Sequence, residues 1–381
     1  MKVLICQKIA GISGSELYIK NLLLALNKIN IEAHFLAIEP ENYFHLNDDF
    51  IHELSDNKIK YFRISYSHPF SYRLLRDINN IIKNGKYDVI QTNLIHADII
   101  ISIIKLIFDS KIKILSVKHG YDEKFQSLYG LNPDYLKKDK FYYLTKFASK
   151  FINYHITVSD SLTNFIIKTQ KIHPQKISTI PLGFDFSQIH YDASVSQYKL
   201  SENQLVIIGR LVPVKQHNLV LQILPDIIKE FPDLQLVIVG DGSHRQELEL
   251  QCQVLNLQNH VTFTGFSTHI HDYLKNSVIE ILPSSAEGFG IVILEAWHSE
   301  VPIIAFDVPA PNEIISDGID GYLVPPFDIN ILKDKIIYLL HNKEIAHQMG
   351  KAGKAKLESQ YTMEIMLNRT IDMYNKVLLE E

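Results

Sequence analysis

The chain has 381 residues, of which 46% are hydrophobic, and a net charge of −5. This length suits two domains, and the composition suits large buried cores, which excludes an intrinsically disordered protein. The weak negative charge provides no global basic field for nucleic acid. The most apolar stretch, Ala97–Phe108, is shorter than the roughly 20 residues that span a bilayer.

Short apolar runs alternate with helical patterns along the whole chain and predict the strands. They are Val3–Cys6, Ala33–Ile38, Val89–Thr92, Ile112–Val117 and His155–Val158, then Leu205–Gly209, Leu234–Gly240, Val261–Thr264, Val278–Leu282, Pro302–Phe306 and Tyr322–Val324. Continuous Val, Ile and Leu runs are typical of parallel strands that are buried on both faces. The sequence therefore predicts an α/β protein with two doubly wound, Rossmann-like domains that face each other across a cleft.

A polar segment without core periodicity, Asp185–Asn203, is interpreted as the interdomain linker. It places an N-terminal domain at residues 1–185 and a C-terminal domain at 186–360. Two distant cysteines, Cys6 and Cys252, show no metal-ligand spacing, and Cys6 falls in an apolar strand. The first residues lack the apolar region of a signal peptide, so we expect a cytoplasmic protein, with a position peripheral to the inner face of the membrane as the alternative.

The stretch Pro283–Trp297 follows a predicted buried strand and carries two glutamates eight residues apart, Glu287 and Glu295. Between them a small-residue loop leads into a helix that starts near Ile291. Backbone amides and a helix N-terminus at the carboxyl end of a strand bind anions. Carboxylates beside such a site are suited to hydroxyl groups, so the pattern indicates a sugar nucleotide.

Two cations, Arg210 and Lys215, follow the predicted strand Leu205–Gly209. A guanidinium and an ammonium group at one strand end can hold a pyrophosphate leaving group. The alternative is that both are solvated surface cations, as lysine and arginine usually are.

Five motifs stand in order at predicted strand ends: Gly209-Arg-Leu with Lys215, Val239-Gly-Asp-Gly242, Gly265-Phe266, Leu282-Pro-Ser-Ser, and Glu287-Gly-Phe-Gly with Glu295. Together they resemble the retaining glycosyltransferases of family 4, which have the two-domain GT-B fold. The resemblance implies a retaining hexosyltransferase that moves sugar from a UDP- or GDP-sugar to a glycan or lipid-linked glycan, as in surface polysaccharide synthesis. It implies neither a cofactor nor a metal ion.

The resemblance also assigns roles within the second half. Glu287 contacts the donor sugar, Glu295 holds the ribose, and Arg210 and Lys215 neutralise the diphosphate. The remaining donor-binding positions are Gly242, Gly265, Phe289, Gly290 and Ile291. Catalysis is then mainly positioning and electrostatic stabilisation, with the departing phosphate accepting the acceptor's proton.

In the first half, Gly11–Tyr18 resembles the family's glycine-rich loop, which makes Gly14 a donor-side and Gly11 an acceptor-side candidate. By itself this loop could be a tight turn with a helix cap, and it lacks the G-x-G-x-x-G dinucleotide fingerprint. His119, at a strand end, resembles the histidine that approaches the donor sugar, and His96 is an acceptor-side candidate. The C-terminal segment 361–381 should be a helix that packs back on the N-terminal domain.

A basic-aromatic segment, residues 135–154, could lie on an anionic membrane as a lipid-linked acceptor would require. The alternative is a core-packed helix with a solvated lysine face. His269-x-His271 lacks a third ligand for a metal site. Two other functions stay open: a GT-B sugar-nucleotide epimerase and a sugar-nucleotide-binding subunit without turnover.

Overall fold

A computed structural model of the protein describes residues 1–9, 14–42, 48–108, 111–121, 123–186 and 200–380. These residues form two compact units, each built on its own parallel sheet. Unit 1 comprises Met1–Tyr121, Asn132–Gly183 and Met363–Glu381, and unit 2 comprises Asp122–Leu131 and Phe184–Thr362. The predicted class, two doubly wound Rossmann-like domains, is confirmed.

Unit 1 has a seven-stranded sheet in the order β3-β2-β1-β4-β5-β6-β7, with every pair parallel. Its strands are β1 (Lys2–Lys8), β2 (Glu32–Pro40), β3 (Tyr61–Tyr66), β4 (Val89–Asn93), β5 (Ile114–Lys118), β6 (Tyr154–Thr157) and β7 (Ile177–Thr179). Its helices are α1 (Gly14–Lys28), α2 (Asp48–Asp56), α3 (Tyr72–Gly85), α4 (Leu94–Ile107), α6 (Lys140–Ala148), α7 (Asp160–Gln170) and α15 (Met363–Leu379).

Unit 2 has a six-stranded parallel sheet in the order β10-β9-β8-β11-β12-β13. Its strands are β8 (Gln204–Ile208), β9 (Gln235–Val239), β10 (Val261–Gly265), β11 (Ile279–Leu282), β12 (Ile303–Phe306) and β13 (Gly321–Val324). Its helices are α5 (Glu123–Tyr129), α8 (His217–Glu230), α9 (Arg245–Val254), α10 (Ile270–Lys275), α11 (Ile291–His298), α12 (Pro311–Ile314), α13 (Ile329–His341) and α14 (Lys343–Gln360).

Both faces of each sheet are covered, which explains the continuous apolar runs of the sequence. In β1, Val3 and Ile5 belong to one apolar cluster, while Leu4 and Cys6 belong to another on the opposite face. Cys6 is fully buried, as expected of a small core residue. The strand order reverses between β1 and β4 in unit 1 and between β8 and β11 in unit 2, the points where such sheets bind ligands.

The structure differs from the sequence predictions in two places, and one predicted segment lies mostly outside the described residues. Two strands, β3 and β7, were not predicted. The helix of the predicted C-terminal segment 361–381 is shorter than the segment, because α15 begins at Met363 and ends at Leu379; it contacts α1, β4 and β5 of unit 1. Of the predicted linker Asp185–Asn203, residues 187–199 lie outside the described residues.

Candidate active site

Two loops of unit 2 are joined at the reversal point of its sheet. The Ser285 amide, in the loop after β11, donates to the carbonyl oxygen of Val214, in the loop after β8, at 2.8 Å. The Ser285 hydroxyl donates to the same oxygen at 3.2 Å. These bonds bring the predicted cation loop and the predicted carboxylate loop together at one edge of the sheet.

The joined loops carry an ion pair between Lys215 and Glu287. Lys215 Nζ lies 2.5 Å from Glu287 Oε1, and the two side chains are only 18% and 10% exposed. The resemblance assigned these residues to different parts of a donor, diphosphate and sugar, and the structure shows them in direct contact. A ligand that separated the pair would need to offer an anion to the lysine and hydrogen-bond donors to the glutamate.

The helix that starts after this loop is α11, whose first residue is Ile291, as the sequence predicts. Gly290 caps it with a φ of +89°, a left-handed conformation that favours glycine. Phe289 buries its ring against Tyr361, with the ring centroids 6.2 Å apart. Its ring therefore serves the core of unit 2, and the backbone amides of this turn are the groups that a ligand could reach.

Glu295 lies in the second turn of α11 and is half-buried. Burial raises the pKa of its carboxyl group to about 7. Because that pKa is close to neutrality, Glu295 can exist in either protonation state under ordinary conditions.

Arg210 is exposed, two residues beyond the end of β8.

Two of the predicted positions require glycine for structural reasons. A Cβ atom at Gly242 would lie 2.4 Å from the carbonyl oxygen of Leu211, where the loop after β9 packs on the loop after β8. Gly265 has a φ of +74°. These glycines thus shape the rim of the site, whatever contact they make with a ligand.

Sequence reasoning missed Glu280, which lies within β11 directly below these loops and is fully buried. Its Oε1 accepts a hydrogen bond from the Ile208 amide at 3.2 Å, and its Oε2 has no partner among the described residues. Burial, reinforced by the charge of Glu295, holds the pKa of Glu280 well above its usual range. A carboxyl group inside an otherwise apolar strand was the available signal.

His217, the first residue of α8, was also missed. It is buried, and its Nε2 has no partner among the residues that the structure describes. Burial, with smaller contributions from Lys215 and His244, lowers the pKa of His217 to about 4. A neutral imidazole therefore lies next in sequence to the lysine loop.

Unit 1 places His119 just after β5, at the carboxyl edge of its sheet. The edge of its ring meets the Tyr18 ring at a centroid distance of 4.6 Å, and its Nε2 lies 3.5 Å from Asn93 Oδ1. Burial lowers the pKa of His119 to about 4. Gln91 donates to the same Asn93 oxygen and accepts from the Tyr374 hydroxyl of α15 at 2.5 Å. His119 thus belongs to an uncharged polar network.

A buried ion pair joins β5 to α4 next to this edge. Lys118 Nζ lies 2.7 Å from Asp98, and both side chains are 2% exposed. Hydroxyl groups of Thr92 and Ser116 also donate to the Asp98 carboxylate. A buried pair with this many hydrogen bonds is fully compensated, so it holds β4 and β5 in register next to His119.

The other predicted positions of unit 1 lie around this edge. Gly14 is the first residue of α1, and a Cβ atom there would meet nothing within 4 Å. Gln7 donates to buried Glu16 in the first turn of α1. His96 is exposed in the first turn of α4, with its ring 6.5 Å from that of Phe141. Gly11 lies outside the described residues.

The basic-aromatic segment, residues 135–154, contains α6. This helix buries Tyr142, Thr145 and Ala148, while Tyr143 and several flanking lysines are exposed. In the parts of the chain that the structure describes, no helix has both the length and the apolar character needed to cross a bilayer. Those parts also contain no group of three or more His, Cys, Asp or Glu side chains arranged to hold a metal ion.

Two family profiles match the chain, each over one of its halves. "Glycosyltransferase Family 4" matches residues 12–188, and "Glycosyl transferases group 1" matches residues 192–356. Together they cover every strand of the two sheets except β1, and every described site residue named above except Gln7, Tyr361 and Tyr374.

Curated relatives and solved structures agree with these profiles. The chain is 26% identical, over 79% of its length and 80% of the other protein, to the UDP-Gal:alpha-D-GlcNAc-diphosphoundecaprenol alpha-1,3-galactosyltransferase of Escherichia coli. It is 28% identical to the poly(ribitol-phosphate) alpha-N-acetylglucosaminyltransferase of Staphylococcus aureus, over 44% of this chain and only 34% of that protein. The fold matches that of Anabaena HepE, crystallised with UDP and glucose, with a TM-score of 0.84, 19% identity and coverage of 99% and 100%.

Proposed function

We propose that this chain, which belongs to the family 4 glycosyltransferases, transfers a sugar from a nucleotide diphosphate to a glycan or lipid-linked glycan. In this proposal the configuration at the anomeric carbon is retained. The observation that carries this proposal is the Lys215–Glu287 pair at the reversal point of the unit 2 sheet. A sugar diphosphate offers both residues new partners at once, because its phosphate pairs with the lysine and its sugar hydroxyls donate to the glutamate.

The donor is held by unit 2 in this proposal. The diphosphate meets Lys215, Arg210 and the first amides of α11, where the helix dipole favours negative charge. Glu295 accepts hydrogen bonds from the ribose hydroxyls. A UDP-sugar is the favoured donor, since HepE, which has the same fold, was crystallised with UDP and glucose.

Transfer breaks the bond between the anomeric carbon and the diphosphate oxygen and forms a bond from the same carbon to the acceptor oxygen. The proton of the acceptor hydroxyl passes to the departing diphosphate. Lys215, Arg210 and the helix amides stabilise the charge that develops on that diphosphate. Neutral His119 of unit 1 supports the reacting centre by hydrogen bonding rather than by exchanging a proton near pH 7, because its pKa lies at about 4.

Two relatives support the proposed acceptor class, one named for a diphosphoundecaprenol-linked glycan and one for a poly(ribitol-phosphate) chain. For a lipid-linked acceptor, we propose a cytoplasmic protein that contacts the membrane through the exposed tyrosines and lysines of residues 135–154. Liposome co-sedimentation tests this contact, and binding that does not depend on anionic lipid would contradict the proposed membrane contact.

A panel of nucleotide sugars tests the activity. A bound donor raises the melting temperature in proportion to its affinity, and mass spectrometry then follows that donor with and without undecaprenyl-diphosphate glycans. Transfer to the acceptor with the anomeric configuration kept is the expected result. Conversion of the donor sugar without an acceptor would indicate an epimerase, and binding with neither transfer nor donor hydrolysis would indicate a subunit without turnover.

A further inference from the structure

A second concave site lies in unit 1, at the edge of the sheet opposite to His119. Its cavity measures about 310 Å³. It is lined by the end of α6 and the residues that precede β6, and by the end of α7 and the residues that precede β7. Since all strands of this sheet are parallel, these residues lie at the amino ends of the strands, away from the carboxyl edge of the proposed reaction.

The cavity is strongly basic. Four lysines line it, Lys146, Lys150, Lys171 and Lys176, and its described lining contains no carboxylate. Glu380, which does not belong to the lining, forms an ion pair with Lys176 at a distance of 2.9 Å. The positive charge therefore exceeds the negative charge around the cavity.

Two buried polar side chains in the lining have unused hydrogen-bonding atoms. His155 is 1% exposed and Gln170 is 4% exposed, yet His155 Nδ1 and Gln170 Nε2 have no partner among the described residues. The Ser149 hydroxyl donates to Gln170 Oε1 at 2.6 Å, which leaves the amide NH2 group of Gln170 as the unused donor. Buried polar atoms are normally satisfied, so these two indicate a ligand.

We propose that this cavity binds a phosphate-class oxyanion, held by its lysines and by the Gln170 amide. Lysines bind phosphate as point charges, and the buried amide supplies a directed hydrogen bond. His155 adds a second buried donor in the tautomer that protonates Nδ1. Burial and the charges of Lys118 and Lys176 lower the pKa of His155 well below its usual range, which keeps this ring neutral. Free phosphate and the phosphate headgroup of an anionic lipid share this chemistry.

Lys171 offers a variant that removes charge without harming the fold. It caps the end of α7 in a left-handed conformation with a φ of +57°, where glycine is normally favoured. Lys171→Gly therefore relieves strain. Lys86 caps α3 in the same way, with a φ of +49°, and does not line this cavity. Lys86→Gly is thus a matched control for both charge and backbone.

Inorganic phosphate is titrated into the full chain at constant ionic strength, and the ring signals of His155, assigned with His155→Gln, are followed by NMR. This local readout does not report on an anion bound at Lys215 in unit 2. We expect a saturable shift, with affinity reduced about tenfold or more in Lys171→Gly and in Gln170→Glu, as loss of a charge-assisted hydrogen bond predicts. Lys86→Gly should bind as the natural chain does.

Vesicles identify the source of the phosphate. Stronger co-sedimentation with phosphatidylglycerol than with phosphatidylcholine, lost in Lys171→Gly but kept in Lys86→Gly, would support a lipid headgroup. Equal co-sedimentation together with a phosphate-dependent His155 shift would support a soluble phosphate compound. The absence of a saturable His155 shift, or equal weakening by Lys171→Gly and Lys86→Gly, would overturn the proposal.

Discussion

The carboxyl edges of the two sheets share a topology and differ in their chemistry. In unit 2 the reversal point carries a charged pair, Lys215 and Glu287, in loops above the sheet. In unit 1 the corresponding edge carries an uncharged network of His119, Asn93 and Gln91, and the neighbouring Asp98–Lys118 pair is buried and mutually satisfied.

This difference indicates a division of labour. Within the described residues Lys215 and Glu287 pair with each other and stay partly exposed, so a ligand can compete for them, whereas the buried Asp98–Lys118 pair would be costly to separate. Neutral amides and an imidazole position hydroxyl groups without binding a diphosphate. Under the proposed function, unit 2 would therefore hold the charged donor and unit 1 would orient uncharged groups.

The largest expected effect is that of Lys215→Ala. If Lys215 stabilises the developing charge of the diphosphate, the transfer rate falls by about 10²–10³. The control is Lys229→Ala, which removes a lysine paired with Asp226 on the exposed face of α8. Steady-state kinetics with the donor found by the panel measures both variants. A loss of transfer rate below about tenfold for Lys215→Ala, or an equal loss for Lys229→Ala, would show that Lys215 does not stabilise the diphosphate during transfer.

Glu280 should make the stability of unit 2 depend on pH. Its folded pKa is raised above the unfolded value, so the native protein keeps a proton that the unfolded chain releases above about pH 4.5. Stability is therefore lost as pH rises from the unfolded pKa to the folded pKa, by about 1.4 kcal/mol for each pH unit in that interval. Glu280→Gln cannot titrate, so its advantage over the natural chain should grow between pH 6 and pH 8.

Urea unfolding of unit 2 at those two pH values measures this effect. Parallel stabilities of the natural chain and Glu280→Gln at both pH values would mean that Glu280 is ionised in the folded protein. Glu300→Gln serves as the control, because that partly exposed carboxyl group pairs with Lys354 and its pKa is lowered.

In unit 1, His119→Gln should reduce the transfer rate by about tenfold, the value of one hydrogen bond. The shape of the pH–rate profile between pH 5.5 and 8 should stay the same, since His119 is neutral throughout this range. A profile whose acidic limb disappears in the variant would show instead that His119 titrates during catalysis.

The smallest expected effect concerns Glu295. Its pKa of about 7 means that its carboxylate, the better acceptor for ribose hydroxyls, forms as pH rises through neutrality. Donor affinity should therefore increase about fivefold between pH 6 and pH 8, and Glu295→Gln should abolish this dependence. Calorimetric titration with the nucleotide at both pH values decides the matter, and a dependence that persists in the variant excludes Glu295 as its source.

Sequence patterns predicted most of the fold because buried parallel strands are uniformly apolar. They missed β3, whose residues are mostly half-buried, and β7, which has three residues, because edge strands bury less surface and carry weaker patterns. The strand-end motifs of unit 2 were recognisable in order. The ion pair between Lys215 and Glu287 was not, since contacts between distant loops leave no trace in local spacing.

Glu280 was missed for a different reason. A strand with four apolar residues around one carboxyl group still matches the pattern of a buried strand. The carboxyl group is the informative residue, because glutamate is rarely buried. The polar network of unit 1 was missed because Gln7, Gln91 and Asn93 are common residues whose roles arise only where β1 and β4 end side by side.

Hydrogen exchange with and without UDP tests whether unit 2 binds the donor diphosphate at the reversal point of its sheet. UDP should protect the amides of residues 209–215 and 287–295 in the natural chain. Lys215→Ala should weaken this protection, and Lys229→Ala should leave it unchanged. Protection by UDP that spares both segments, or that is unchanged in Lys215→Ala, would show that the diphosphate binds elsewhere.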